Sequence, residues 1–420
     1  MARRLKLGLI NRPIIRVTSS SVQGGSDPFG LSFSAPLISS LAVGYSLGSP
    51  TPTFARATTA YVWGYAADAV IADGPILLSV ASGEARFMGA RRVSEGVWSI
   101  ADANGVPLST TFGASSLYGD ASGPFGYLAE GARINRCLYS QTFENAAWVS
   151  GGGGITAADN TAVAPDGTST ATTLTATGAN GTLIQDLGVV ASASKTGGLW
   201  IKRKTGTGNI DLTMDGGTGW TTKTVTADWT LIQKNQTLAN EDFGIRIVTD
   251  TDAVYVWNGQ VETAAFLSSP IPTTTIAVAR NADVLTYPTA GNTNSSTGAA
   301  YCEVKILELN SRILIDAGVT GPLAPASGQP RYSDGTNYPN SGLGNISSDV
   351  LAKVACSWGG ATGKMFLNGA AGTATAFDGG MFTTSPLGVG DATVPMYGTI
   401  RNLRFYNRAL SDAELQAMTS

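Results

Sequence analysis

Acid–base chemistry in this chain falls to its carboxylates. The 420 residues contain no histidine, which removes the commonest general base and the commonest metal ligand together. A Ser-His-Asp or Cys-His centre and a His-ligated zinc site are thereby excluded. Cys137, Cys302 and Cys356 are an odd number at wide spacing and form neither a disulfide framework nor a Cys-x-x-Cys metal site. What remains is a glycosidase-type pair of carboxylates flanking a scissile bond. Asp211, Asp215 and Asp228 stand in turn-like settings, where Asp is favoured for its hydrogen bonds to the backbone, and a turn role accounts for them without catalysis.

Aromatic rings offer a second chemistry, stacking on sugars or on a receptor surface. Trp220 follows Met214-Asp215-Gly216-Gly217-Thr218-Gly219. It is either a loop-borne ring beside Asp215, suited to a glycan, or a ring closing a sandwich core. Trp200, Trp257 and Trp358 lie within strand patterns and read as core. Tyr332 and Asp334 occupy a Tyr-Ser-Asp-Gly turn, the kind of loop that touches ligand when a rigid scaffold carries it. Gly151–Gly154 lacks the Gly-Lys-Ser/Thr and the following helix of a phosphate cradle. Arg91-Arg92 and Lys202-Arg203-Lys204 read as solvated basic patches, the second on a strand edge guarded by lysine.

The elements that must position these residues are strands. Glycine is plentiful at 52 residues, charged residues make up only 14%, and no long helical period appears, which points to an all-β chain rich in turns. The net charge of −3 gives no global case for nucleic acid or an acidic membrane. No apolar run is long enough for a transmembrane helix. The opening Met1–Ile10 mimics a signal peptide, but its apolar core is short and Asn11-Arg12-Pro13 interrupts it, so it is expected to be retained. Arg3, Arg4, Lys6, Arg12 and Arg16 form a basic head with no acid before Asp27, followed by Ser, Gly and Pro through Pro52. Such a segment buries too little apolar surface to fold alone, and residues 1–52 are expected to be an extended arm docked on another component.

Near the C-terminus Val354, Cys356 and Trp358 alternate with Lys353, Ala355 and Ser357, predicting a half-buried strand. Lys364–Leu367 is a second strand ending in an Asn368-Gly369 turn signal, and Gly398–Tyr406 is a return strand with Leu403 and Phe405 on one face. Ser411 with Glu414 spells a capping box, and Leu410 with Leu415 a hydrophobic staple, for a short terminal helix expected to close one edge of the sheet. Between residues 137 and 287, strands are expected around Thr173, Leu183, Trp200, Leu212, Val225, Leu231, Ile245 and Val256, with Val254–Trp257 central.

This C-terminal order of parts resembles the closing half of laminin-G/concanavalin A-like lectin sandwiches. The segments Thr53-Phe54-Ala55-Arg56-Ala57-Thr58, Gly83-Glu84-Ala85-Arg86-Phe87, Tyr127-Leu128-Ala129-Glu130-Gly131-Ala132-Arg133-Ile134-Asn135 and Asn258–Thr273 running on to Ala279-Arg280-Asn281-Ala282-Asp283 resemble segments recurrent in tailed-bacteriophage virion proteins. Leu138–Trp148 resembles the opening of carbohydrate-binding-like jelly rolls in such proteins, with Ala164–Thr168 fitting the turn that follows. These resemblances imply tandem antiparallel β-sandwiches: an arm (1–52), a small β connector (53–136), a jelly roll (137–287) and a laminin-G/concanavalin A-like domain (288–420). They imply a non-enzymatic virion protein of fibre type, anchored through residues 1–52 and presenting lectin-like domains to host glycans. A capsid decoration protein and a glycan-depolymerising tailspike are the alternatives. A homo-oligomer is expected, with a trimer implied by how phage fibres assemble. Calcium, which assists many lectin relatives, would draw on Asp334 and Asp391; no Asp-x-Asp cluster accompanies them, and no cofactor or metal is expected.

Overall fold

The computed structural model of the chain describes residues 31–37, 39–42, 45–46, 51–108, 125–307, 313–316, 320–323, 329–331, 342–377, 387–389 and 396–420. Nearly all regular structure is antiparallel β, as the composition predicts, and the α-helix Asp412–Thr419 stands at the C-terminus.

One sandwich is built from both ends of the chain. Its larger sheet places Leu31–Ala35 beside Gly398–Tyr406, which pairs in turn with Thr297–Ile306, then Leu351–Gly359 and Thr362–Leu367. The facing sheet places Thr53–Ala55 beside Val284–Tyr287, followed by Leu387–Val389 and Leu314–Asp316. Alternation puts Val354, Cys356 and Trp358 in the core together with Leu403 and Phe405. Asn368 and Gly369 both take positive φ, 46° and 80°, the twist a two-residue hairpin needs between Leu367 and its partner Ala370.

The capping box forms as read. Ser411 accepts from the Glu414 backbone N–H, and the Glu414 carboxylate accepts from the Ser411 N–H at 2.7 Å. The helix lies elsewhere than expected. It covers the outer face of the sheet, not an edge, because Leu410 and Leu415 bury against Ala355, Phe366 and Tyr406, the apolar residues that alternation leaves on that side.

The second sandwich spans residues 149–262. Strands expected separately around Leu183 and Trp200 are one element, Gly181–Thr205, of 25 residues, and those around Leu231 and Ile245 are another, Thr230–Ile247, of 18. Register shifts between Asp186 and Ala193 bend this long pair without breaking it. One half of the pair then joins the strands Ala171–Ala176 and Ala253–Glu262, and the other half joins Val149–Gly152 and Ile210–Thr213. Strands that switch sheets at bulges are how a sandwich makes its corners. Val254–Trp257 is central, as its two apolar faces require. No strand forms at Val225; the edge strand is Thr221–Lys223.

Sheet pairing crosses the sequence-level divisions. Arg133–Asn135 pairs with Val278–Arg280, Gly126–Ala129 pairs with Gly398–Tyr406, and the hairpin Ala60–Gly64/Ile76–Val80 packs on the second sandwich. Trp200 and Trp257 are core residues as expected, at 1% and 0% exposure. They do not point into their own sandwich. Trp200 meets Trp63 edge-to-face at 5.5 Å and Trp257 meets Tyr61 at 6.1 Å, so both seal the contact between modules.

Candidate functional site

The outward face of the second sandwich carries a polar platform. In Thr230–Ile247, Phe243, Ile245 and Ile247 point into the core, which leaves Arg246 on the outside. Register pairs Arg246 with Asp211, and Asp211 with Thr222 of the edge strand. The Arg246 Nε and Nη2 donate to Asp211 Oδ2 at 2.9 and 2.6 Å, while Thr222 Oγ1 donates to Asp211 Oδ1 at 2.7 Å. The guanidinium lies 4.6 Å from the ring centroid of Trp220, which is half-buried. Trp220 is therefore a surface ring of the loop, not a plug in the core. Among the described residues nothing accepts from its indole N–H, which is not buried.

Asp215 holds the loop that presents this ring. Its Oδ1 accepts from Gly219 N and Thr213 Oγ1, both at 2.8 Å, and its Oδ2 from Gln236 Nε2 at 3.0 Å. Partial burial alone would raise its pKa, but these hydrogen bonds outweigh it and hold the carboxyl below its ordinary value. Gly217, at φ +94°, sits where an added Cβ would come within 3.1 Å of the Trp220 ring. Lys234 Nζ donates to Gly219 O at 2.8 Å, and Lys223 is lowered in pKa by burial and by the nearby Lys234 charge. The result is an aromatic ring with cationic neighbours on an open sheet face, which suits stacking and hydrogen bonding to a hydroxylated ligand.

The carboxylates considered for catalysis are engaged structurally. Asp211 is a strand residue, not a turn residue, and both of its oxygens are taken. Asp228 is exposed in a bend. The structure brings Asp215 and Trp220 together. Tyr332, Asp334 and Asp391 lie outside the described residues, as do Arg3, Arg4, Lys6, Arg12 and Arg16. Among the described residues no group of His, Cys, Asp or Glu is arranged to hold a metal. Burial pushes the thiols of Cys137, Cys302 and Cys356 above their ordinary pKa, so none is an activated nucleophile.

The motif residues far apart in sequence meet in one buried ion network. Arg56 Nη1 lies 2.8 Å from Asp283 Oδ1, Arg86 Nη1 2.7 Å from Glu130 Oε2, and Arg280 Nη1 2.6 Å from the same oxygen. Arg86 also donates to Asp283. Ser269 adds its Oγ at 2.6 Å and its N–H at 2.8 Å to Glu130. Burial pulls the Arg86 guanidinium down, and the Asp283 and Glu130 carboxylates more than offset it, holding its pKa above the ordinary value. Three guanidinium groups surround two carboxylates, and the network joins segments of different modules. Local sequence pattern does not show that these segments converge. Arg56 and Glu130 directly follow strands, Arg86 and Asp283 directly precede them, and Arg280 ends one, so each charged residue stands at a strand terminus.

No family model matches the chain, and no curated protein matches it. Among solved structures, domain 4 of the extracellular GH43 arabinanase AbnA from Geobacillus stearothermophilus, in complex with arabinotriose, is 14% identical. That match covers 33% of this chain and 73% of the other, with a TM-score of 0.28. The CBM40 of the Ruminococcus gnavus IT-sialidase, bound to α2,3 sialyllactose, is 18% identical over 32% of this chain and 92% of its own, with a TM-score of 0.26. A Trypanosoma rangeli sialidase is 16% identical over 33% of this chain and 26% of its own, with a TM-score of 0.27. Each is a weak match confined to about a third of the chain.

Proposed function

We propose that this chain is a non-enzymatic structural protein of a tailed-bacteriophage particle, of fibre type, that binds host-surface glycan through the platform around Trp220. The observation that carries the binding reading is the Trp220–Arg246–Asp211–Thr222 array: a half-buried ring held by a stacked guanidinium on an outward sheet face. Its polar partners are held in place by the sheet, so little ordering entropy is lost when a ligand arrives. The phage assignment rests on the motif resemblances, and attachment to the particle is assigned to the residues that precede Leu31, because Leu31–Ala35 is already a strand of the C-terminal sandwich.

Binding in place of hydrolysis is supported by the engagement of Asp211 and Asp215, the two carboxylates that hold the Trp220 platform. A glycosidase needs one acid kept protonated and a second carboxylate across the bond. Asp215 has its pKa lowered, the opposite of what a general acid requires, and both oxygens of Asp211 are taken by Arg246 and Thr222. The test is a glycan array with the full chain, followed by calorimetry on the best ligand and assay of that ligand for release of reducing ends. Trp220→Ala is expected to weaken binding at least tenfold, with no sugar released by either protein. Reducing ends that appear with the parent chain, or binding indifferent to Trp220, would reject the reading.

A further inference from the structure

Two carboxylates oppose each other on the outward sheet face that also carries Arg246. Register places Asp186 of Gly181–Thr205 directly across from Asp242 of Thr230–Ile247, the last regular pair before the shifts that bend the two strands. Like charges directly opposite on a sheet repel. Asp242 Oδ1 is nevertheless buried and receives no hydrogen bond. Asp242 Oδ2 accepts from Asn240 Nδ2 at 2.9 Å, and Asp186 Oδ1 accepts from the Gly188 N–H at 2.8 Å. The Asp186 carboxyl lies within hydrogen-bond reach of Asp242, so one proton between them satisfies the orphaned oxygen and removes a charge.

This pair is joined to the loop that carries Trp220. The Asp242 N–H donates to Met214 O at 3.1 Å and the Gly216 N–H donates to Asp242 O at 3.0 Å, bonds that bracket Asp215. The loop backbone also rests on the carboxyl itself, since a Cβ added at Gly216 would come within 3.0 Å of Asp242 Oδ2. The nearby cations are committed elsewhere. Arg246 is held by Asp211, Lys234 donates to Gly219 O and acts on Asp215, and Arg136 and Lys195 pair with Glu241 on the opposite strand face. The charges facing Asp242 are therefore those of Asp186 and Asp215. Burial, then the charge of Asp186, the hydrogen bond with it and the charge of Asp215 raise the Asp242 pKa above its ordinary 3.8. The protonated pair stabilises the fold below that value, and the stabilisation is lost as pH rises through the raised one. Asp215, with its pKa lowered, stays ionised across that window and keeps its hydrogen bonds. We propose that Asp186 and Asp242 are a proton-sharing pair that orders the Trp220 loop in acid and loosens it once both carboxyls ionise. The consequence for glycan binding rests on the Trp220 reading above; the switch itself does not.

The experiment is fluorine NMR of the full chain labelled with fluorotryptophan, with the Trp220 resonance assigned by its loss in Trp220→Phe. Hydrogen exchange of the Gly216 amide is followed across the same pH range. The resonance is expected to titrate with a midpoint between about pH 4 and pH 7, above the ordinary aspartate range. Gly216 protection, corrected for intrinsic exchange, is expected to fall about tenfold as pH rises through that midpoint. Asp242→Asn and, independently, Asp186→Asn each leave a lone carboxyl and are expected to abolish the step above about pH 4. Asp186 is exposed, so its variant keeps the test valid if Asp242→Asn fails to fold. A Trp220 resonance flat above pH 4, a step that survives either substitution, or Gly216 protection that rises with pH would each overturn the proposal. A step present in a chain whose glycan binding ignores Trp220 would support the switch and reject the binding reading alone.

Discussion

Glu130 shows how one buried carboxylate can tie together segments far apart in sequence. It is 1% exposed and takes hydrogen bonds from Arg86, Arg280 and Ser269. Replacing one partner of a buried ion pair strands the others in a medium that solvates them poorly. Glu130→Gln is therefore expected to destabilise the fold by about 3–5 kcal/mol, read from urea denaturation; a loss below about 1 kcal/mol would show the network to be dispensable. Glu414 is the opposite case, a partly exposed acid. Hydrogen bonds from Arg408 and then from Ser411 lower its pKa from 4.5 to about 2. Its folded value lies below its unfolded one, so the stabilisation is complete above about pH 4.5 and is lost as pH falls toward 2. Solvent screening keeps that contribution small. An NMR titration should find the Glu414 carboxyl still ionised at pH 3, where an unperturbed glutamate is protonated.

At the scale of elements, the terminal helix and the long bent strands behave differently under mutation. The helix has eight residues, too few to be stable alone, and it depends on its cap and on Leu415 beneath it. Ser411→Ala is expected to cost about 1 kcal/mol and to fray only this helix, visible as loss of amide protection at Glu414 and Leu415. In Gly181–Thr205, by contrast, the bend is distributed across the stretch where register shifts, and no single residue carries it. The Trp220 loop is more brittle. Gly217 combines a positive φ with close approach to the ring, so Gly217→Ala is expected to weaken platform binding while leaving the melting temperature within a few degrees.

For the whole molecule, the consequence of sheet pairing across the divisions is cooperativity. Leu31–Ala35 and Thr53–Ala55 belong to the same sandwich as the C-terminal strands, and Trp63 and Tyr61 cap the tryptophans of the other. Tryptophan fluorescence and far-UV circular dichroism are therefore expected to report one shared unfolding transition. Trp63→Ala should destabilise by about 3–5 kcal/mol through the cavity it leaves between modules, and should separate the two signals.

What residue order alone determined is what short-range physics controls. Alternation at Val354–Trp358 assigned faces, Asn368-Gly369 set a hairpin, and Ser411 with Glu414 placed a helix start, because each depends on neighbours a few bonds away. The absence of histidine bounded the chemistry in the same way. Tertiary structure alone decided that Arg246 stacks on Trp220, that Trp200 faces a neighbouring module, and that arginines 56, 86 and 280 gather on Glu130 and Asp283. Those partners lie up to 227 residues apart. Their meeting depends on strand register and on which sheet face is covered, and both are set by burial summed over the whole chain, not by any local pattern.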